Sequence, residues 1–377
     1  MVIFNMVLVG FHMVGTAIAD GVSLIPSLRL GEQWDSNPFL TGEGGDIKQD
    51  FITEISPQLA VRSLSTRTQY SGSYRLDSRQ YSRLRELDYI SHTGNIAVES
   101  EPLPETSLSA SDTYRFTPDS LEASDVGVQT SRDDIVSNFA FATLSRSLSS
   151  AGSVSLTLEN TMQDFQDESL FDTRTDSASL SGSYIYSLNT AFTMSYRYTK
   201  NHYASAVGES STETHSAQLG VSNQLSPGVS ISVSGGAAYT DGLDKAPNWT
   251  TSASYAKAFQ ATSFNMDYSR SVTNTSGLTN EINIRDSVSI DLNRTFGRSF
   301  SANLGGSLLK NRSEPSNNVD RTSYTANAGF AWRVLEWLSV DARYTRFQQW
   351  VDDLLGVSMA RDQVFIGLTA TPNELRF

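Results

Sequence analysis

Histidine and carboxylate side chains are the groups in this chain best suited to proton transfer. His202 and His215 flank a polar segment that also carries Glu209 and Glu213. A histidine beside a carboxylate could act as the general base of a hydrolase, but a hydrolase of this kind also needs a nucleophile. No G-x-S-x-G motif supplies one. A solvated polar loop explains these residues equally well, so we do not expect an enzyme.

Acidic residues could also offer oxygen ligands to a metal ion. Asp125, Asp133 and Asp134 lie in one long polar segment, yet no D-x-D-x-D-G loop surrounds them. The chain contains no cysteine, which excludes disulfides, thiolate metal sites and C-x-x-C-H haem attachment. We therefore expect no cofactor and no metal, and we interpret these residues as solvated charge.

The elements that hold these side chains follow one pattern, which is clearest in the stretch LNTAFTMSYRYTK at 188–200. Apolar residues there occupy every second position, namely Phe192, Met194, Tyr196 and Tyr198. Successive side chains of a strand point to opposite faces, so this strand has one apolar and one polar face. The pattern recurs from about Val22 to Ala370 and predicts about eighteen strands.

The connections between the predicted strands alternate in length. Short ones read SLNT, QLSPG and TFGRS, whereas longer polar ones cover 201–213, 240–248 and 310–322. Short periplasmic turns opposite longer extracellular loops are typical of an antiparallel transmembrane β-barrel. Each period of about 40 residues holds two strands of about ten residues, long enough to cross a bilayer at a tilt, whereas a propeller blade would hold four. We predict one all-β barrel domain over 20–377.

Composition limits the possible partners. The formal net charge is -13, which argues against nucleic acid because phosphate binding requires clustered Lys and Arg. The mean hydropathy of -0.29 excludes a helical membrane protein. A membrane β-barrel remains possible, because only half of the side chains in its strands need to be apolar.

The N-terminal segment predicts the compartment. Residues 1–15 are mostly apolar, and Ala17-Ile18-Ala19 before Asp20 forms an A-x-A cleavage pattern, although no Lys or Arg precedes the apolar run. We expect a signal peptide over 1–19 and a mature chain in the outer membrane of a Gram-negative bacterium. The alternative is a buried strand or a short helix.

Charged side chains on the polar faces are the candidate pore-lining residues. By alternation ten of them point inward: Arg75, Arg115, Glu159, Arg197, Asp267, Arg285, Asp291, Arg333, Asp341 and Arg343. One interpretation is a ladder of salt bridges that stiffens the wall. The other is a filter whose arginines attract anions, and the two are compatible.

Some features of the alternation need an explanation from the structure. We expect one aromatic band near the short turns and another near the long loops, the second including Tyr203, Tyr268 and Tyr344. Asp112 and Asp286 fall on predicted lipid faces. Pro26 and Pro57 lie inside predicted strands, where proline removes a ladder hydrogen bond.

The N-terminal region resembles a known family. The segments SLRLGEQWDSNPFLTGEGG, DFITEISPQLAV and TRTQYSGSYRLDSRQY are similar to β-barrel porin family 2, which includes barrels from exopolysaccharide and exosortase loci. The resemblance implies an outer-membrane barrel that exports a polysaccharide. The width of an eighteen-strand barrel and its six inward arginines against four inward acids predict, from the residues alone, a pore for polar or anionic solutes. The alternatives are a structural barrel that binds a partner and an outer-membrane hydrolase.

Several partners are expected from the same reasoning. They are outer-membrane lipid, the outer-membrane assembly machinery, a polysaccharide and periplasmic export components. A last amphipathic strand followed by the terminal Phe377 resembles the signal that the assembly machinery reads, although Pro372 interrupts it.

Overall fold

The computed structural model describes residues 21–42, 44–119, 134–167, 170–205, 208–241, 247–274, 281–315, 318–352, 358–372 and 375–376. The expected signal peptide 1–19, Asp125, Asp133 and Phe377 lie outside these ranges. The described residues contain nineteen strands in chain order. From β1 to β19 they are Val22–Asp35, Asp50–Leu64, Thr68–Tyr81, Tyr89–Leu103, Thr106–Thr117, Ile135–Ser147, Gly152–Phe165, Asp172–Ser187, Thr190–Ser205, Gly208–Ser226, Val229–Asp241, Pro247–Ala258, Thr262–Asn274, Ile282–Phe296, Phe300–Glu314, Asp320–Leu335, Leu338–Val351, Met359–Ala370 and Leu375–Arg376.

The sheet closes on itself into a barrel. Each strand from β1 to β17 pairs antiparallel with the next one in the chain. The first and last long strands also pair, from Leu28 opposite Ala370 to Asp35 opposite Gln363. The two-residue β19 extends this seam opposite Ser23 and Leu24. The prediction of an antiparallel barrel of eighteen long strands is confirmed.

Cross-strand pairing fixes which side chains share a face. Residues directly opposite each other on antiparallel strands point to the same side. On β9, Met194 lies opposite Gly182 and Leu219, and Met194 is 64% exposed. Ser195 on the other face lies opposite Ser181 and Gln218. The exterior of this wall is therefore apolar and the interior is polar, as the alternation predicts.

Strands β9 and β10 extend beyond their predicted ends. The sequence predicts a loop over 201–213, but Asn201 lies opposite Thr212 and the ladder continues to Ser205 opposite Gly208. The segment is rich in Ser, Thr and Glu, which suggested a loop. Such residues can occupy a strand whose outer part rises above the apolar layer, so polarity there does not mark the end of the strand.

The two prolines lie where no backbone donor is needed. Pro57 falls in a gap of the β2–β3 ladder, between the pairs Ile55–Ser78 and Gln58–Arg75. Pro26 lies between the part of β1 that pairs with β18 and the part that pairs with β19. Neither proline therefore breaks a hydrogen bond that the barrel would otherwise form on that side.

Helical structure contributes little to the described chain. A single 3-10 turn, Arg85–Leu87, connects β3 to β4. No helix in the described ranges is long and apolar enough to cross a membrane.

The facing of the strands can be tested with two adjacent substitutions. Met194→Lys places a charge on the apolar exterior and should lower the free energy of unfolding by up to roughly 2–4 kcal/mol, the cost of a lysine at the bilayer midplane. Ser195→Lys places the same charge on the inward face and should change it by less than about 1 kcal/mol. Denaturant unfolding in lipid vesicles measures both. Equal losses at the two positions would contradict the assigned faces.

Candidate functional site

The pairing register places all ten candidate charged residues on the inward face. Arg285 and Arg343 line a cavity inside the barrel. Asp267 lies opposite Ser289, which lines the same cavity, and Asp341 lies opposite Gly367 on the face that carries Phe365. Following the pairs around the barrel assigns the remaining members to this face as well. Their role in conduction stays a prediction.

Among the residues that the structure describes, four of the ten take part in ion pairs with one another or with other wall residues. Arg75 binds Asp77 at 2.8 Å, and Asp341 binds Arg29 at 2.5 Å. Glu159 and Arg197 form an ion pair with each other. The interpretation as a ladder of salt bridges therefore applies to part of the ten candidate residues.

Burial of the inward side chains changes along the barrel axis. Near the long connections they are buried, with Asp35 and Asn311 at 0% exposure. Nearer the short turns they are exposed, as at Asp267, Asp291 and Arg333. The lumen is therefore packed at the extracellular end and open toward the periplasmic end.

A buried arginine lies at the centre of the packed end. The guanidinium of Arg361 on β18 donates to the carboxylate of Asp35 at 2.7 Å and to that of Asp119 at 3.1 Å. The three side chains are 3%, 0% and 5% exposed. Gln363 donates a further hydrogen bond to Asp35 at 3.0 Å.

Asp119 connects two distant parts of the wall. It follows β5, which is separated from β18 by four strands around the closed sheet. Residues 118–119, which follow β5, must therefore reach into the lumen to contact Arg361. Buried charges are tolerated only with partners, so this contact fixes the segment in place.

A cavity of about 500 Å³ adjoins this cluster. Four arginines line it, namely Arg79, Arg285, Arg343 and Arg361. Hydroxyl and amide side chains contribute the rest of its polar surface: Gln33, Ser287, Ser289, Ser307, Thr325, Thr345 and Gln363. Arg79 binds Glu54 at 3.2 Å. The cavity can thus hold a polar or anionic solute.

An aromatic ring holds one of these arginines in position. Phe365 is 3% exposed and lies flat against Gly31 and Gly367, and a Cβ on Gly367 would come within 2.5 Å of the ring. The guanidinium carbons of Arg29 and Arg343 lie 4.2 Å and 5.8 Å from the ring centre. Cations are attracted to the faces of aromatic rings at these distances. Within the described ranges Arg343 forms no ion pair with a carboxylate.

Sequence reasoning missed the Arg361 cluster. Arg361 has the same strand parity as Gln363 and Phe365, so alternation alone could have assigned it to the lumen. Asp119 gave no such signal, because it lies beyond the end of its strand and its partner is 242 residues away.

The two histidines do not form a catalytic pair. His202 lies opposite Ser211 and His215 lies opposite Tyr198, so they are four residues apart along the sheet, about 13 Å. The Nδ1 atom of His215 is hydrogen-bonded to the Tyr196 hydroxyl at 2.7 Å on the exterior. In the part of the chain that the structure describes, no three His, Asp or Glu side chains could hold a metal ion.

The prediction that Tyr203 belongs to the exterior aromatic band near the long loops is wrong. This side chain points inward, is 1% exposed and donates to the backbone oxygen of Glu281 at 3.3 Å. Tyr268 and Tyr344 do lie outside, where they donate to Asp286 at 3.1 Å and to Asp362 at 2.7 Å.

Partners on neighbouring strands explain the two acidic residues on the exterior. Asp286 binds Arg270 at 2.8 Å, and Asp112 accepts a hydrogen bond from Asn138 at 2.5 Å. Each carboxylate therefore has a hydrogen-bonding partner on the neighbouring strand.

Comparison with known proteins yields structural similarity at low sequence identity. No protein-family profile and no curated protein matches the chain. Among solved structures it is similar to OpdQ of Pseudomonas aeruginosa, with 11% identity, a TM-score of 0.48, and 94% of this chain and 98% of that chain covered. OccAB4 of Acinetobacter baumannii gives 10% identity, a TM-score of 0.49, and coverage of 93% and 98%. The siderophore receptor PirA of P. aeruginosa gives 9% identity and a TM-score of 0.48, with 93% of this chain and 80% of that chain covered. The likeness to β-barrel porin family 2 is not confirmed.

The class of protein follows from the closed ladder and the two faces. Eighteen long antiparallel strands enclose a polar interior, carry an apolar exterior and are joined by short turns at one end. This architecture defines a transmembrane β-barrel of the Gram-negative outer membrane.

The buried cluster predicts a large stability effect. Arg361→Ala leaves Asp35 and Asp119 buried without their cation and should cost roughly 3–5 kcal/mol of unfolding free energy. Arg174→Ala is the control, because the Arg174–Asp176 pair is 53% and 40% exposed and should contribute at most about 1 kcal/mol. Unfolding in vesicles measures both variants, and similar losses would contradict the structural role of Arg361.

Proposed function

We propose that the protein is a passive channel that lets polar solutes cross the outer membrane, with a preference for anions. The support for a channel is the width of the barrel, because eighteen strands enclose more space than their own side chains fill. Inward-facing residues such as Asp267, Asp291 and Arg333 accordingly remain exposed.

The cavity beside Arg361 carries the preference for anions. Four arginines line it, of which Arg79 is paired with Glu54, and Arg361 with Asp35 and Asp119. The preference rests on Arg343, which also lines the cavity and whose guanidinium has no carboxylate partner in the described ranges. A fixed cation at a narrow point stabilises a passing anion more than a passing cation.

Planar-bilayer recording tests the channel and its selectivity together. The refolded full chain should give discrete single-channel currents, and the reversal potential in a KCl gradient should report preference for chloride. Arg343→Gln should reduce that preference. Arg333→Gln is the matched control, because Arg333 lies in the open part of the lumen and its loss should change selectivity less. Absence of current, or cation preference in the unaltered protein, would contradict the proposal.

The anchor at Asp119 predicts a change in conductance. Asp119→Ala removes the contact that holds residues 118–119 against Arg361, while Asp35 still pairs with the arginine. We expect larger single-channel currents, because residues 118–119 are no longer held in the lumen. Asp176→Ala on the exterior is the control and should leave the currents unchanged. A conductance equal to that of the unaltered protein would mean that the contact does not restrict the pore.

Polysaccharide export is the narrower form of the proposal. Its support is the resemblance of the N-terminal segments, and the assembly machinery and periplasmic export components stay predicted partners. Deletion of the gene followed by assay of surface polysaccharide tests it, with re-expression of the unaltered protein as the control. Unchanged polysaccharide would reject export and leave the channel proposal intact.

A further inference from the structure

Two phenylalanines on β6 face the lumen. Phe139 lies opposite Thr113 and Thr161, and Phe141 lies opposite Ser111 and Glu159. Their ring centres are 5.9 Å apart at an interplanar angle of 42°. Phe139 is 42% exposed. Part of an aromatic surface is therefore open to the lumen, beside polar side chains of β5 and β7.

The inward direction of the pair follows from its neighbours. Glu159, opposite Phe141, forms an ion pair with Arg197 on β9 across the intervening strand. The other face of β6 carries Leu144, which is 47% exposed and lies opposite the exposed Leu156. That face is the lipid face, so the two rings do not contact lipid.

An exposed aromatic pair in water is unfavourable by itself. Burial of apolar surface stabilises a protein by roughly 25 cal/mol per Å², and this stabilisation is absent where the surface stays in contact with water. If the rings only filled space they would be covered, yet Phe139 is not. Exposed apolar surface bordered by polar groups is typical of a binding site.

We propose that Phe139 and Phe141, together with the Glu159–Arg197 ion pair, form a subsite for a pyranose ring of an oligosaccharide. A sugar ring has a flat face of C–H groups, which can pack on the aromatic rings, and a rim of hydroxyls. The Glu159 carboxylate can accept and the Arg197 guanidinium can donate hydrogen bonds to that rim. Apolar surface combined with a few placed polar groups is the usual composition of a ligand site.

Other solutes fit the same groups less well. A purely apolar solute would desolvate the hydroxyls of Ser111, Thr113 and Thr161 without replacing their hydrogen bonds, which is costly. A small inorganic anion would use Arg197 but gain nothing from the rings. The subsite rests on the proposed function in one respect, since the lumen must admit the sugar, but binding does not require conduction.

Binding of a neutral sugar to the detergent-solubilised full chain is the first test. Maltohexaose carries no charge, so its binding is independent of anion preference. Isothermal titration should detect it, and Phe139→Leu with Phe141→Leu should weaken it by at least about fivefold, the equivalent of about 1 kcal/mol. Leucine keeps the apolar character and avoids a large cavity but lacks the flat face. Ile185→Ser is the control, because Ile185 faces inward at 50% exposure near a short turn.

Bilayer recording separates failure of the subsite from failure of the channel. Maltohexaose should interrupt the current of the unaltered protein, with shorter interruptions in the double leucine variant. Current without interruptions, together with no heat of binding, would overturn the subsite and leave the channel. Binding that is unchanged in the leucine variant would also overturn it. Binding without any current would retain the subsite and reject the channel.

Discussion

The rest of the structure depends on one constraint, the closure of the hydrogen-bond ladder between β1 and β18. Inside a bilayer no water is present to satisfy backbone N–H and C=O groups, so an open edge would be very unfavourable. Pairing from Leu28 opposite Ala370 to Asp35 opposite Gln363 removes that edge. Closure also makes the face of every strand depend on the face of its neighbours, because directly opposed residues point the same way.

This dependence explains how much the sequence could predict. Where apolar and polar residues alternate clearly, as from Phe192 to Thr199, the local pattern and the pairing register agree. The barrel class, the number of long strands and the inward position of the ten charged residues can be predicted from this alternation. Strand ends were less predictable. The β9–β10 ladder continues through polar residues beyond the apolar layer, and for this reason the sequence predicts a loop over 201–213 and an exterior position for Tyr203.

On β6 the local pattern indicates the wrong face. Phe139 and Phe141 alternate with Ala140 and Ala142, so hydropathy alone would direct the rings to lipid. The register with β5 and β7 directs them inward, and neighbouring strands with unambiguous patterns enforce this choice through some dozen ladder pairs on each side. A shift by one residue would reverse every side chain of β6 and place Thr143 and Ser145 in lipid. The cost of two exposed rings is thus smaller than the cost of breaking the register.

The Arg361 cluster follows from the same closed wall by a different route. Because eighteen strands leave space that wall side chains do not fill, a segment can enter the lumen only if its polar groups find partners there. Asp119 meets this condition by sharing Arg361 with Asp35, and the shared guanidinium is strongly favoured over two separate buried carboxylates. The extracellular half is consequently fixed by charge pairing, whereas the half nearer the short turns keeps exposed side chains in contact with water. The arginine-lined cavity is bounded by strands β14 to β18 with residues of β1 and β3, whereas the Phe139–Phe141 pair lies on β6, so charged and aromatic groups occupy different parts of the same lumen wall.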